Sequence, residues 1–388
     1  MVERAYKYRL YPNEEQKEYL AKTFGCCRFI YNYFLNKKQV SWKDKTKALN
    51  LIDCCSLLTS LKKEKPWLKE ISSVCLQQVL RSLDKAYQNF FKKRAKYPKF
   101  KSKSARQSAH YMKNAFQYKN GQVFLAKMKD PLDIRFSRRF EGIPTSLTIS
   151  KDGANRYFIS ILVKENIASL PFVKSDIAID LGLKHFLINQ RGEKENNPRF
   201  LKQGRKRLKR LLQSLCRKKK GSNNRKKAKV KVAKLHGKIV DRRRDFLHKI
   251  SSQIVDENQV IICEDLKVKN MQKNRRLSFS IADASWTTLI NMLKYKSKWY
   301  GRDFVQVETF FPSSKICSDC GNKLEELPLN VRRWICPCCQ AEHDRDVNAA
   351  NNIRRRGLEK LQCTAGRAGS NKPVELVLDQ TNLVRQLA

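Results

Sequence analysis

The chain opens on a strict alternation. In Ala5-Tyr6-Lys7-Tyr8-Arg9-Leu10-Tyr11, basic and largely aromatic side chains exchange at period two, which predicts a strand with one apolar face. Pro12 breaks that pattern, and Asn13 with Gln16 makes a capping box for a helical region continuing through Arg28–Leu35. Farther on, Leu76, Leu80, Leu83, Tyr87 and Phe91 recur at spacings of three and four, a core-facing helical stripe flanked by Lys92, Lys93 and Arg94 as phosphate contacts. From Pro98 the texture changes to short runs at Val123–Leu125, Leu132–Phe136, Ser146–Ile149 and Tyr157–Val163. Lys151-Asp152-Gly153 supplies turn chemistry between the last two. These runs predict a small β module, completed by the strand at residues 5–11, with the helices inserted near its start. Glu165–Lys174 reads as the linker out of it.

A run of apolar β-formers, Ile177-Ala178-Ile179, then delivers one carboxylate, Asp180, with Gly182 two positions later. Lys184–Asn189 reads as its hairpin partner, with His185 in a structural role. Residues 199–256 are basic and helical, broken at Lys220–Asn224. Gln259–Leu266 is a second buried strand, ending on Glu264 and Asp265. A helix from Ala282 to Tyr300 carries Trp286 and Trp299, and Phe304–Val307 is a further strand. Strands alternating with helices predict an α/β sheet. The expected layout is a β module over 1–12 and 98–172, a helical insertion over 13–97, and an α/β domain over 173–310 and 343–360. A metal-binding module fills 311–342, and 361–388 form a flexible C-terminal tail.

Composition narrows the partners. Among 388 residues, 82 Lys and Arg face 36 acids, a net charge of +46, and the positive residues are spread along nearly the whole chain. A charge that large repels itself unless a polyanion is the normal partner, and its spread favours an extended nucleic-acid interface over a membrane-surface patch. The helical hairpin at 199–256 then faces phosphates. No signal-peptide core and no apolar run of membrane-spanning length is present, so a cytoplasmic location is expected. The 13 cysteines accordingly read as thiols or metal ligands and not as a disulfide frame. Cys26-Cys27 and Cys54-Cys55 are core filler.

Two features carry chemistry. Cys317-Ser318-Asp319-Cys320 and Cys336-Pro337-Cys338-Cys339 form two C-x2-C knuckles separated by 15 residues, the spacing of one tetrahedral structural Zn²⁺. Cys338 and His343 are further ligand types close by, which leaves the identity of one ligand open. Just beyond, Asp346 stands at the first turn of a helix continuing through Ile353, with Asp344 as its cap. An acid there can face Asp180 and Glu264 at the edge of the sheet. Three converging carboxylates cannot all remain ionised without positive charge between them, which two Mg²⁺ ions supply. Such a pair cleaves phosphodiesters: one ion activates water, the other stabilises the leaving 3′ oxygen.

Taken together, these residues resemble the TnpB (OrfB) proteins of insertion sequences, relatives of the type V CRISPR effectors. The resemblance rests on Asp180 in Ile-Asp-Leu-Gly-Leu-Lys, Glu264 in Glu-Asp-Leu, the four-cysteine knuckle and Asp344-Arg345-Asp346-Val347-Asn348-Ala349-Ala350, in family order. Tyr8-Arg9-Leu10-Tyr11-Pro12 and Arg28-Phe29-Ile30-Tyr31-Asn32 add to it, and the match runs over roughly residues 5–356. It implies an RNA-guided DNA endonuclease whose RuvC-like, RNase H-fold domain is split by the helical hairpin and an inserted zinc ribbon. The N-terminal β-barrel module and its helices would be the wedge and recognition domains. A guide RNA from the transposon end and a double-stranded DNA target are the implied partners, with a monomer expected. Asp180, Glu264 and Asp346 are the implied Mg²⁺ ligands, and Arg345 is a candidate phosphate contact. Gln340 departs from the family, which has glycine there.

Two other classes use similar parts. An RNA-guided repressor would bind DNA without cutting and would be expected to lack an acid, but none of the three is missing. A DNA-joining transposase runs Asp, Asp, Glu along the chain, whereas the order here is Asp, Glu, Asp.

Overall fold

The computed structural model describes residues 1–44, 48–104, 106–328 and 330–367. The chain divides into two compact units, residues 1–166 with 219–234, and residues 167–218 with 235 onward.

The first unit contains β1 (Val2–Leu10), α1 (Glu14–Lys43), α2 (Leu51–Glu64), α3 (Ser73–Phe91), β2 (Gln107–Met112), β3 (Phe116–Lys119), β4 (Gln122–Leu125), β5 (Ile134–Arg135), β6 (Pro144–Lys151) and β7 (Tyr157–Glu165). Five strands form an antiparallel sheet in the order β2-β6-β7-β1-β5, and β3 and β4 make a separate hairpin. The period-two pattern of β1 sends Tyr6, Tyr8 and Leu10 inward, where they share a core with Leu20, Phe24, Ile30 and Phe34 of α1 and Leu76, Leu80 and Leu83 of α3. The Asn13–Gln16 capping box opens α1, the two side chains bonding each other's backbone N–H at 2.8 and 3.2 Å.

Two expectations are corrected here. Phe91 is 70% exposed, at the edge of a ring cluster with Tyr87, Phe90 and Tyr97. Glu165 does not open the linker. It closes β7, and its buried carboxylate accepts the Tyr6 hydroxyl at 2.7 Å and Arg4 at 3.4 Å.

The second unit contains β8 (Asp176–Asp180), β9 (His185–Asn189), β10 (Lys194–Asn196), α4 (Phe200–Cys216), most of α5 (Asn223–Glu257), β11 (Val260–Glu264), α6 (Val268–Met271), α7 (Ser278–Ala284), α8 (Trp286–Tyr300), β12 (Asp303–Val307), β13 (Arg333–Ile335), β14 (Glu342–Asp344) and α9 (Arg345–Arg367). Its main sheet runs β10-β9-β8-β11-β12, with β8, β11 and β12 parallel and β9 antiparallel to its neighbours. Alternate residues of β11 serve opposite faces. Ile261 and Cys263 pack with α5, α7 and α8, while Val260 and Ile262 pack with Ile353 of α9. Both faces are therefore covered by helices, as near-continuous apolar strands require.

The helix expected over 282–300 is broken at Ser285, which sits at φ +59 between α7 and α8. Asp283, at the end of α7, explains the break. Its buried carboxylate accepts the Leu201 and Lys202 backbone N–H groups and the Arg243 guanidinium. It thereby caps α4, which has no side-chain cap of its own. α9 continues to Arg367, within the stretch expected as a tail, and residues 368–388 of that stretch lie outside the described residues. Among the described residues, no helix is long and apolar enough to cross a membrane.

Candidate active site and metal centre

β8 and β11 run parallel in register through Ile179↔Cys263, so the next residue of each strand, Asp180 and Glu264, stands side by side at the carboxyl edge of the sheet. That edge is where open α/β sheets place their ligands. The third acid, Asp346, comes from the first turn of α9, which packs on β8. Their mutual effect is electrostatic and large. Burial first, then the charges of Glu264 and Asp346, push the Asp180 carboxyl up to about 8, against the smaller pull of the Leu181 N–H and Arg345. Burial also raises Glu264, opposed by a 2.5 Å hydrogen bond from the Ser313 hydroxyl. Asp346 accepts Arg332 at 3.3 Å.

The neighbouring acids are employed elsewhere. Asp344 caps α9, accepting the Asp346 and Val347 N–H groups at 3.0 and 3.3 Å. Burial raises its carboxyl, but Lys194 at 2.9 Å and those N–H groups hold it below the usual range. Asp265 is exposed enough to pair with Lys267 and to accept the Thr309 hydroxyl, both at 2.7 Å, and these bonds lower it. Arg345 has a structural part that the sequence did not suggest. Its buried guanidinium donates through Nη1 to the Pro328 carbonyl at 2.6 Å and to Leu327 and Val331 at 3.4 Å, and so fastens a loop. Sequence reasoning missed Arg332 and Ser313, because nothing in their local pattern separates them from any other loop arginine or serine. His185 opens β9 and, among the described residues, joins no group of three or more metal-ligand side chains.

The four sulfurs of Cys317, Cys320, Cys336 and Cys339 lie within 4.8 Å of one another. Cys317–Cys339 and Cys320–Cys336 are both 3.6 Å apart. A tetrahedron with Zn–S bonds of about 2.3 Å has edges of about 3.8 Å, so the cage fits one Zn²⁺. Cys339 is the fourth member of the group that comes together. Cys338 and Cys339 are both exposed, and His343 Nε2 sits 3.1 Å from the Cys317 sulfur, its ring tilted at 39° to that of Trp334. Each knuckle turns the same way: Gly321 N–H donates to Cys317 O and Gln340 N–H to Cys336 O, both at 3.0 Å. Both residues are left-handed, φ +79 and +61. Gln340 thus holds the glycine turn at a cost of about 1 kcal/mol.

Basic charge is presented separately. α4 buries no residue, contains no acid, and exposes Lys202, Arg205, Lys206, Arg207, Lys209 and Arg210.

A family model described as "Probable transposase" matches residues 160–275 and one described as "Cas12f1-like, TNB domain" matches residues 286–353. A third, "Helix-turn-helix domain", matches residues 1–47, where β1 and the single helix α1 lie. The chain is 47% identical over 370 residues to a Streptomyces pristinaespiralis protein named "Putative RNA-guided DNA endonuclease", covering 94% of this chain and 92% of that one. It is 30% identical over 396 residues to "Putative RNA-guided DNA endonuclease InsQ" of Escherichia coli (strain K12), covering 96% and 98%. A cryo-EM structure of a Cas12f1–sgRNA–target DNA complex covers 91% of this chain and 99% of its own at 15% identity, with a TM-score of 0.35, a likeness too distant to bear on function.

Proposed function

Since the chain belongs to the TnpB (OrfB) family of transposon-encoded RNA-guided nucleases, we propose that it is a cytoplasmic, monomeric RNA-guided DNA endonuclease that cuts guide-complementary DNA beside a short motif. The observation that supports the catalytic reading is the side-by-side exit of Asp180 and Glu264 at the carboxyl edge of β8 and β11, with Asp346 near enough for its charge to act on Asp180. The strand order, with β9 antiparallel to the rest, supports a RuvC-like domain over 173–310 and 343–360, carrying a zinc ribbon at 311–342. The five-stranded sheet and its helical insertion are then the wedge and recognition modules. The guide RNA and the DNA target would lie along basic surfaces such as that of α4, which neutralise phosphate without reading sequence.

Two Mg²⁺ ions held by these acids would supply an activated water and a stabilised leaving 3′ oxygen. The residues present suit that role. Burial, and after it the charges of Glu264 and Asp346, hold a proton on Asp180 near neutral pH, where a bound cation would take its place, while Glu264 accepts the Ser313 hydroxyl. Arg332 keeps a positive group beside Asp346.

The test is to co-express the protein with its transposon end, sequence the RNA that copurifies, and offer DNA matched to that RNA. The wild type is expected to cut it in Mg²⁺, and Asp180→Ala to bind it without cutting. Copurification of no discrete RNA, or cutting by Asp180→Ala at the wild-type rate, overturns the reading.

A further inference from the structure

Between the main sheet and the cysteine cage, residues 313–318 follow an irregular path that two asparagines of α9 secure. Asn352 Nδ2 donates to the carbonyls of Ser313 (2.9 Å) and Ile316 (2.6 Å). Asn348 Nδ2 donates to Ile316 O at 2.7 Å, and its Oδ1 accepts the Ser318 N–H at 2.9 Å. The two asparagines are one helical turn apart and 1% and 0% exposed, so their side chains make these bonds from a buried helix face. The segment they clamp has a functional group at each end. Ser313, itself 7% exposed, donates its hydroxyl to Glu264 Oε1 at 2.5 Å, and Cys317 contributes a sulfur to the cage. The helix that supplies the clamp also supplies Asp346, two residues before Asn348.

We propose that Ser313 is a positioning residue for Glu264, held in place by Asn348 and Asn352, the same clamp that seats the zinc ligand Cys317. The proposal rests on the reading of the three acids as a divalent-cation site. A glutamate at a strand end has three rotatable bonds and can swing away from the strand. A short hydrogen bond to Oε1 from a buried hydroxyl removes that freedom and leaves Oε2 for a cation, as partners behind metal-binding carboxylates do. The cage then has a role in the acid site: Cys317 and Ser313 share one rigid segment, so the ribbon anchors the side chain that aims Glu264.

Mn²⁺ binding by the full-length chain without nucleic acid, read by electron paramagnetic resonance, tests this together with zinc content. Ser313→Ala is expected to weaken Mn²⁺ binding by about 10-fold or more while keeping about one zinc per chain. Ser313→Thr, which restores the hydroxyl, is expected to restore the affinity. Asp180→Asn serves as the reference for the acid site. If Ser313→Ala binds Mn²⁺ like the wild type while Asp180→Asn does not, the positioning role is overturned and the acid site stands. If Mn²⁺ binding survives Asp180→Asn, the acid site is overturned and the role of Ser313 falls with it. Should Ser313→Ala also shed zinc, the threonine variant decides: weak Mn²⁺ binding there with zinc retained overturns the proposal.

Discussion

Asp180 is placed where its own ionisation opposes folding. An ordinary aspartate in the unfolded chain titrates near 3.8, whereas burial and the charges of Glu264 and Asp346 raise it to about 8 in the fold. A raised carboxyl contributes stability that is fully present below the unfolded value and is lost as pH rises through the folded one. In a chelator, Asp180→Asn is therefore expected to be more stable than the wild type at pH 9, by an amount on the order of several kcal/mol at about 1.4 kcal/mol per pH unit. The advantage should shrink steadily toward pH 4. Adding Mg²⁺ at pH 8 should stabilise the wild type and leave Asp180→Asn unmoved. Denaturant melts across that range check both, and equal stability at every pH would refute the raised carboxyl of Asp180. Neighbouring residues show how narrowly roles are divided here: Asp344 and Asp346 are two positions apart, yet one caps a helix and the other faces Asp180.

Among the elements, α9 does the most to assemble the site. It brings Asp346, the asparagine clamp and one wall of the sheet's second core, and it lies close on β11. A Cβ on Gly357 would meet Ile262 Cγ2 at 2.3 Å, so only glycine lets helix and strand approach this far. Alanine has the better helix propensity, by about 1 kcal/mol, but the overpacking it causes costs roughly 1–3 kcal/mol, and it would push α9 away from the strand that carries Glu264. Gly357→Ala is expected to lower stability in urea unfolding and to slow Mg²⁺-dependent cutting; a variant as stable as the wild type would show that the close approach is absent. The Asp344 cap and the alternation in β11 could be read from the sequence, since both are local patterns. The break at Ser285 could not, because Asp283 acts on α4, some 80 residues earlier in the chain.

For the whole molecule, the balance of +46 dominates. Exposed rows such as that on α4 contain no acid in their own helix, so binding to nucleic acid should be driven by counterion release. If about 6–10 phosphates are contacted, affinity for DNA without a matching guide is expected to fall by about 10³–10⁵ between 50 and 200 mM salt. A filter-binding or fluorescence titration over that range measures the slope, and a flat response would exclude the phosphate-facing role. Replacing Lys206, Arg207 and Arg210 together with Gln should flatten the slope, whereas Asp180→Asn should not.

By itself, the sequence determined whatever depends on residue type and short spacing: the strands and main helices, the cysteine knuckles, the three acids and the kind of partner. Those signals are local, since period two, period 3.6, C-x2-C and net charge can all be counted along the chain. Tertiary structure alone decided which groups meet. It placed Arg345 on loop carbonyls, set His343 beside the cage, and brought Ser313 to Glu264 across 49 residues. Such pairings are made by the close packing of elements distant in sequence, and no pattern within either element announces them.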